Sequence, residues 1–361
     1  MSSDAQVEEG PGDVAARVRD HFRHQAEACD ALGSPFTASV CRALAEVLDE
    51  TTATGRRVLS WPGNAREDAL SLRLCGGLHA LVLSGADPML AAAYPPTAAS
   101  ESELTGVLSD AIAWNDTALG RALNSAPQTN EIARSAMLLP GFLAIARETG
   151  LPLDIYEIGS SGGLNLLSDR FTYDFGGARW GGAGSPVRLA PEVRGTAPDL
   201  DGTLAVIGRT GSDIRPIHIA DTVERLRLRS YIWADQTLRL ARLDAAIRLA
   251  EENPFTLESV EAARFVERKF KGLQPGTARV LFHSIMWQYL PDSTKEAVNA
   301  TLSTAGGMAT QDAPVAWLRM EPRDTRDPYA TLSLTVWPGG STRHLAHCDY
   351  HGRWIEWIAK S

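Results

Sequence analysis

Apolar positions recur every three to four residues through the first 150 residues and then give way to short unbroken runs, so the chain divides by pattern before any motif is considered. Val14, Val18 and Phe22 repeat at four-residue spacing behind Asp13, which suits a helix N-cap, and Val40, Leu44 and Leu48 form a second such stripe. Residues 69–83 and 104–123 predict further helices, with Gly85, Pro95-Pro96 and Gly150 as stops. The expectation is an all-α N-terminal domain over 13–150, with roughly five to seven helices, behind a polar tail at 1–12. Its last helix, 132–148, follows Gln128-Thr129-Asn130-Glu131; Thr129 or Asn130 suits its cap and Pro140 should kink it. Asn130 and Glu131 read either as part of a capped connector or as substrate contacts at a helix start facing a cleft between domains.

From residue 151 the period changes. Leu153 to Ile158 is a β-prone run that passes directly into Gly159-Ser160-Ser161-Gly162-Gly163, and a helical stretch follows at 164–170. Strand, glycine turn and helix in that order let a backbone approach a ligand and present free N–H groups at the helix start. Further strands are predicted at 230–233, 255–258, 278–284, 314–320, 331–337 and 342–348, with helices at 236–252, 260–270 and 293–302. Alternation of the two implies an α/β domain over 151–361 with a mostly parallel, Rossmann-like sheet. The last two strands are joined by Pro338-Gly339-Gly340-Ser341, which predicts an antiparallel C-terminal hairpin. Residues 167–229 fit poorly and read as an insertion, with one strand candidate at 203–209 followed by Asp213.

Composition narrows the partners. Of 361 residues, 44% are hydrophobic and 22% charged, which supports packed cores, and no stretch approaches the roughly 18 apolar residues of a membrane span. The formal net charge of −9, without a dense basic block, argues against nucleic acid and anionic lipid. Cys29, Cys41, Cys75 and Cys348 form no C-x-x-C pair and are expected to be buried, reduced thiols. The acidic N-terminus lacks the apolar segment of an export signal, so a cytoplasmic location is expected.

Glu157 followed by Gly159-Ser160-Ser161-Gly162-Gly163 resembles the first motif of class I S-adenosylmethionine-dependent methyltransferases, an acidic residue at a strand end before a G-x-G-x-G turn. Gly159 and Gly163 match the outer glycines, and Ser161 replaces the middle one. The resemblance spans about 151–361 and implies S-adenosylmethionine as cofactor, held by Glu157, the turn and an acid after the second strand that binds the ribose hydroxyls. Asp235, behind the strand expected at 230–233, takes that place, with Asp213 as its competitor; Glu261, after the third strand, takes the position near adenine. At whole-chain level the sequence also resembles an uncharacterised bacterial family, through Gln128-Thr129-Asn130-Glu131, residues 157–166, and Phe282-His283-Ser284 with Trp287-Gln288-Tyr289.

Ligands in open α/β sheets sit beyond the carboxyl ends of strands, which puts His283, Ser284, Trp287 and Gln288 near the reacting group. His283 is the candidate general base, with Gln288 beside it, because an unperturbed imidazole titrates near neutrality. Ser284 is a candidate cofactor contact, and Trp287 and Glu321 candidate substrate contacts. His344, His347, Cys348, Asp349 and His351 include metal-ligand types, but His344 and His347 are three apart on an expected strand and should face opposite sides, so no metal site is assigned. No G-x-x-x-x-G-K-[ST] pattern is present, which sets aside a P-loop nucleotide hydrolase; residues 159–163 have G-x-S-x-G spacing around Ser161, but the esterase reading of this turn ranks below the others. The reading is a methyltransferase for a small-molecule acceptor, with self-association left open. The alternatives are a ligand-binding protein that kept the fold without the chemistry, and a nicotinamide-dependent Rossmann enzyme.

Overall fold

A computed structural model describes residues 11–97 and 99–359. The tail expected at 1–12 lies outside the described residues, apart from the last two, which open the first helix. The chain divides into two compact units, residues 1–129 with 221–241 and residues 130–220 with 242–361.

The first unit is helical. Its first stretch holds α1 (Pro11–Ala31), α2 (Pro35–Val47), α3 (Ala53–Leu59), α4 (Leu70–Ser84), α5 (Pro88–Ala93), α6 (Glu101–Trp114) and α7 (Asp116–Ala122). Local chemistry starts several of them. Thr52 accepts from the Gly55 N–H to cap α3, Asp87 accepts from Leu90 to cap α5, and Ser100 with Glu103 forms a capping box before α6. The apolar stripes meet in one core, where Phe22, Leu44, Leu74, Leu78 and Leu108 are fully excluded from solvent. Each contributes on the order of 1.5–3 kcal/mol by leaving water. The helix expected at 132–148 is α8 (Arg134–Thr149), which passes through Pro140 unbroken and belongs to the second unit, so the boundary falls before residue 130 rather than at 150.

Residues 221–241 correct a larger expectation. The strand predicted at 230–233 does not form: α9 (Thr222–Ser230) ends there, and a turn leads to α10 (Thr237–Glu252). Tyr231 packs its ring against Gly76 of α4, where even a methyl group would stand 2.6 Å from it. Trp233 and Ala234 add to the helical core.

The second unit is built on a nine-stranded sheet. In chain order its elements are β1 (Leu153–Ile158), β2 (Thr172–Phe175), β3 (Ala178–Trp180), β4 (Arg188–Leu189), β5 (Glu192–Arg194), β6 (Val206–Asp213), β7 (Thr256–Ser259), α11 (Ala262–Lys269), β8 (Ala278–Ser284), α12 (Asp292–Met308), β9 (Val315–Glu321), β10 (Ala330–Trp337), β11 (Thr342–Cys348) and β12 (Trp354–Trp357). The large sheet runs β5-β12-β11-β10-β9-β8-β1-β6-β7, and β3-β2-β4 form a small separate sheet around Tyr173 and Phe175. Strands β7, β6, β1, β8 and β9 are parallel neighbours, the third, second, first, fourth and fifth of the parallel set in chain order. The winding reverses between β1 and β8, the kind of switch point at which doubly wound sheets open a crevice for ligand. The expected hairpin is present as antiparallel β10 and β11, and β9 pairs with β10 antiparallel as well.

Helices cover both faces. On one side α8 lies close to the sheet: Phe142 meets Phe282 edge-on at 5.1 Å, and a Cβ on Gly141 would stand 2.4 Å from Leu318. On the other, Phe265 and Val266 of α11 and Val298 and Leu302 of α12 share a core with Tyr156, Leu281 and Trp317. The supposed insertion at 167–229 contains β6, the second parallel strand, which extends the candidate at 203–209 as far as Asp213. Its glycines are structural. A Cβ on Gly208 would stand 2.1 Å from the Asp154 carboxylate, and one on Gly211 2.6 Å from Ser160 Oγ.

Candidate functional site

The turn after β1 is shaped by backbone geometry that side chains resist. Gly159 and Gly163 have φ of +66° and +71°, and Ser161 has +53° without being glycine. Each position is also crowded. A Cβ on Gly159 would lie 2.9 Å from the Met286 side chain, and one on Gly163 2.5 Å from Phe255. The turn's amides are mostly spent within the protein. Ser160 N–H donates to Ser212 O at 3.0 Å, Ser161 to Asp213 Oδ2 at 2.9 Å, Gly163 to Ser160 O at 2.7 Å and Leu164 to Asn130 Oδ1 at 2.9 Å. The segment that follows, Leu164–Arg170, is a 3₁₀ helix, so the α-helix N-terminus expected to greet an anion is absent.

Side chains at the carboxyl ends of β1 and β6 make the first cluster. Glu157 is 3% exposed and its Oε2 has no hydrogen-bond partner. Burial, reinforced by the nearby Asp213 carboxylate, pushes the Glu157 carboxyl well above the usual carboxylate range, against the pull of Arg134. Asp213 holds the turn with Oδ2 and accepts from Arg215 N–H with Oδ1 at 2.9 Å. The hydroxyls of Ser160, Ser161 and Ser212 are buried and unpartnered beside these acids. Arg134 closes the group with hydrogen bonds to the carbonyls of Tyr350 (2.9 Å) and Ser284 (3.3 Å).

A second cluster lies at the ends of β8 and β9. His283 is fully buried, and its Nδ1 is 2.7 Å from Glu321 Oε1, which also accepts from Met286 N–H at 3.1 Å. An ionised carboxylate can only accept, so Nδ1 is the donor in a bond to the ionised Glu321. No partner reaches His283 Nε2 or Glu321 Oε2. Trp287 stacks on the imidazole at 5.1 Å and meets Trp317 edge-on at 5.5 Å. Glu157 is level with Phe282 and so shares the α8 side of the sheet, whereas His283 faces α11 and α12. The clusters therefore flank the carboxyl edge of adjacent strands, whose backbones are about 4.8 Å apart.

Of the residues expected from sequence, the structure brings Glu157, Gly159, Ser160, Ser161, Gly162 and Gly163 to one edge, with Ser284 next to it, and joins His283, Glu321 and Trp287 in the second cluster. Asp235 does not belong: it lies in the helical unit and caps α2, accepting from Phe36 N–H at 3.0 Å and from the hydroxyls of Ser34 and Thr37. Asp213 stands where Asp235 was expected, at the end of the second parallel strand. Glu261 follows β7 as expected, but its carboxylate caps α11 through Arg264 N–H and accepts from Thr294 Oγ1 at 2.8 Å. Asn130 and Glu131 are buried rather than open at a helix start. Asn130 holds the glycine turn, and Glu131 accepts from Ala133 N–H at 3.1 Å with Arg242 3.9 Å away. Gln288 is half-buried in the one-turn helix Trp287–Tyr289, and no hydrogen bond ties it to His283. His344 and His347 also differ from expectation. They pair with Ser333 and Thr331, and the irregularity between β10 and β11 turns both to one face. Among the described residues no group of three or more His, Cys, Asp or Glu is arranged to hold a metal ion. No described helix is long and apolar enough to cross a membrane.

Sequence reasoning missed Arg134 and Ser212. Ser212 was within reach as the neighbour of Asp213, the ribose candidate already named; nothing local marks Arg134. A family model described as an uncharacterized protein conserved in bacteria (DUF2332) matches residues 19–357. No curated protein and no solved structure matches the chain.

Proposed function

The chain belongs to this uncharacterised bacterial family, and we propose that its second unit binds S-adenosylmethionine along the carboxyl edge of β1 and β6 and methylates a small molecule presented to His283. The observation that carries the reading is the buried Glu157 carboxyl, lacking a partner at Oε2 and lying near a second carboxylate. Such a pair favours a cation and disfavours an anion. An ammonium group beside a sulfonium, together with ribose hydroxyls that donate to a carboxylate, fits this set of acceptors. Parallel strands in the order 3-2-1-4-5 with a glycine turn after the first add fold-level support.

The nicotinamide alternative fares worse. A diphosphate needs free amides at the turn, and four of those from Ser160 to Leu164 are already bonded. S-adenosylmethionine would supply an activated methyl group. The chain's part is to hold Glu157 and Asp213 against the cationic and hydroxyl-bearing portions, and to accept the acceptor's proton at His283 Nε2. Glu321 keeps the imidazole in the required tautomer and stabilises it once it is charged. Trp287 covers the imidazole and keeps water from it.

Calorimetry on the intact protein tests this reading. Wild type binds S-adenosylmethionine and its demethylated product but not NADH, and Asp213→Asn weakens binding about tenfold or more, the scale of one hydrogen bond to a charged group. Absence of nucleoside binding, or binding of NADH in its place, contradicts it. Binding with no methyl transfer to any small-molecule acceptor would favour the non-catalytic alternative.

A further inference from the structure

A groove of about 1100 Å³ runs along α1 in the helical unit, with the connection between α3 and α4 as its other wall. Val18, Phe22, Ala26 and Cys29 turn one face of α1 into the helical core. A different face, carrying Arg17, Asp20, His21 and His24 at helical spacing, lines the groove, and Arg66 meets it from the connection. Ala16, Ala28, Gly63 and Ala65 also line it, and such small side chains leave room for the body of a ligand.

His21, His24 and Arg66 gather in one part of this groove. Ser71, fully buried in the first turn of α4, lies 3.1 Å from His21 Nε2 and fixes the ring, so Nδ1 is the nitrogen left for a ligand. His24 and Arg66 are exposed, and among the described residues their side chains enter no hydrogen bond or ion pair. Burial, and then the charges of His24 and Arg66, lower the pKa of His21, with no carboxylate offsetting them. The acids of the neighbourhood are engaged or distant. Asp20 pairs with Arg23 at 2.6 Å, Glu67 accepts from Asn64 at 3.1 Å, and Asp68 accepts from the Trp61 indole at 2.7 Å. Asp13 is about 12 Å before His21 along the helix, and Glu27, a turn beyond His24, does not line the groove. Arg17, a turn before His21, adds a further guanidinium.

We propose that this part of the groove binds the phosphate of a small, soluble organic phosphate monoester, with Arg66, His24 and His21 Nδ1 as its donors and the organic body lying along α1. The site is independent of the methyl-transfer reading. Cations gathered without a counter-ion favour an anion. Two imidazoles able to take up protons as a dianion arrives, beside a guanidinium, match the double charge of a phosphate monoester, and a monoanion gains less from them. The groove is far larger than inorganic phosphate, and the net charge of −9 works against a surface of anionic lipid.

Phosphorus NMR of phenyl phosphate with the full-length protein, in the absence of S-adenosylmethionine, reads the site directly. Wild type broadens the signal, and neither inorganic phosphate nor benzoate displaces the ester as well as unlabelled phenyl phosphate does. Arg66→Gln weakens binding about tenfold or more, Arg66→Lys retains part of it, and His24→Gln weakens it about threefold or more. Both positions are exposed, so these variants keep the fold. Arg326→Gln, at an exposed arginine of the second unit already paired with Asp324, leaves binding unchanged. Affinity falls as pH rises from about 6.5 to about 8, because the imidazoles lose the charge that the dianion stabilises, and His24→Gln flattens that slope. No broadening by wild type, equal binding by wild type and the Arg66 and His24 variants, a flat pH profile, or displacement by inorganic phosphate or benzoate as strong as by the ester overturns the assignment.

Discussion

A buried carboxyl at the end of a central strand is costly unless something repays it, and Glu157 is the residue on which the functional reading turns. Its pKa in the folded chain is raised by burial and by Asp213. A raised carboxyl favours the protonated folded protein, so its contribution to stability is complete below the unfolded carboxyl pKa and is lost as pH rises through the folded value. Glu157→Gln should therefore be more stable than wild type at neutral and higher pH. Urea titrations across pH should show that advantage shrinking toward acid, while the variant loses cofactor affinity. Asp235 makes the opposite prediction. It holds the second amide of α2, so Asp235→Ala should cost about 0.5–2 kcal/mol of stability and leave S-adenosylmethionine affinity unchanged. Ser161 pays for a left-handed backbone and for a buried, unpartnered hydroxyl. Ser161→Gly should be neutral or stabilising by up to about 1 kcal/mol in denaturant titration, because relief of strain outweighs the added chain entropy.

At the scale of elements, strands buried on both faces were plain in the sequence. Residues 153–158 and 278–284 form strands at the positions their apolar runs indicate, and 342–348 does so behind its glycine turn although its first three residues are exposed. β6 was largely hidden because VIGRTGSD is glycine-rich and polar; Asp154 and Ser160 fill the space where its side chains would be. The decoy at 230–233 arose because Tyr231, Ile232 and Trp233 pack into the helical core in a turn, where tertiary contacts outweigh β propensity. That one exchange explains why Asp235 stood in for Asp213. The glycine turn was legible as a turn, though its crowding by Met286 and Phe255 was not, since those residues arrive from distant segments. The His283–Glu321 bond is equally non-local: it joins residues 38 positions apart on neighbouring strands. Ile285, at φ +51°, begins the segment that lays Met286 over Gly159 and Trp287 over His283. A β-branched residue held there stores strain of roughly 1–3 kcal/mol.

On the scale of the whole molecule, the chain carries a net charge of −9, and its second unit sets the buried Glu157 beside the half-buried Asp213 at the ends of β1 and β6, with Arg319 on the other side of the sheet. The central claim is that Glu157 is a neutral acid in the free protein and ionises when a cation binds beside it. Calorimetry of S-adenosylmethionine binding near about pH 6.5, repeated in buffers of different ionisation heat, counts the protons exchanged. The account predicts release of up to about one proton by wild type and none by Glu157→Gln. Binding without proton release, or equal release by the two proteins, would contradict it.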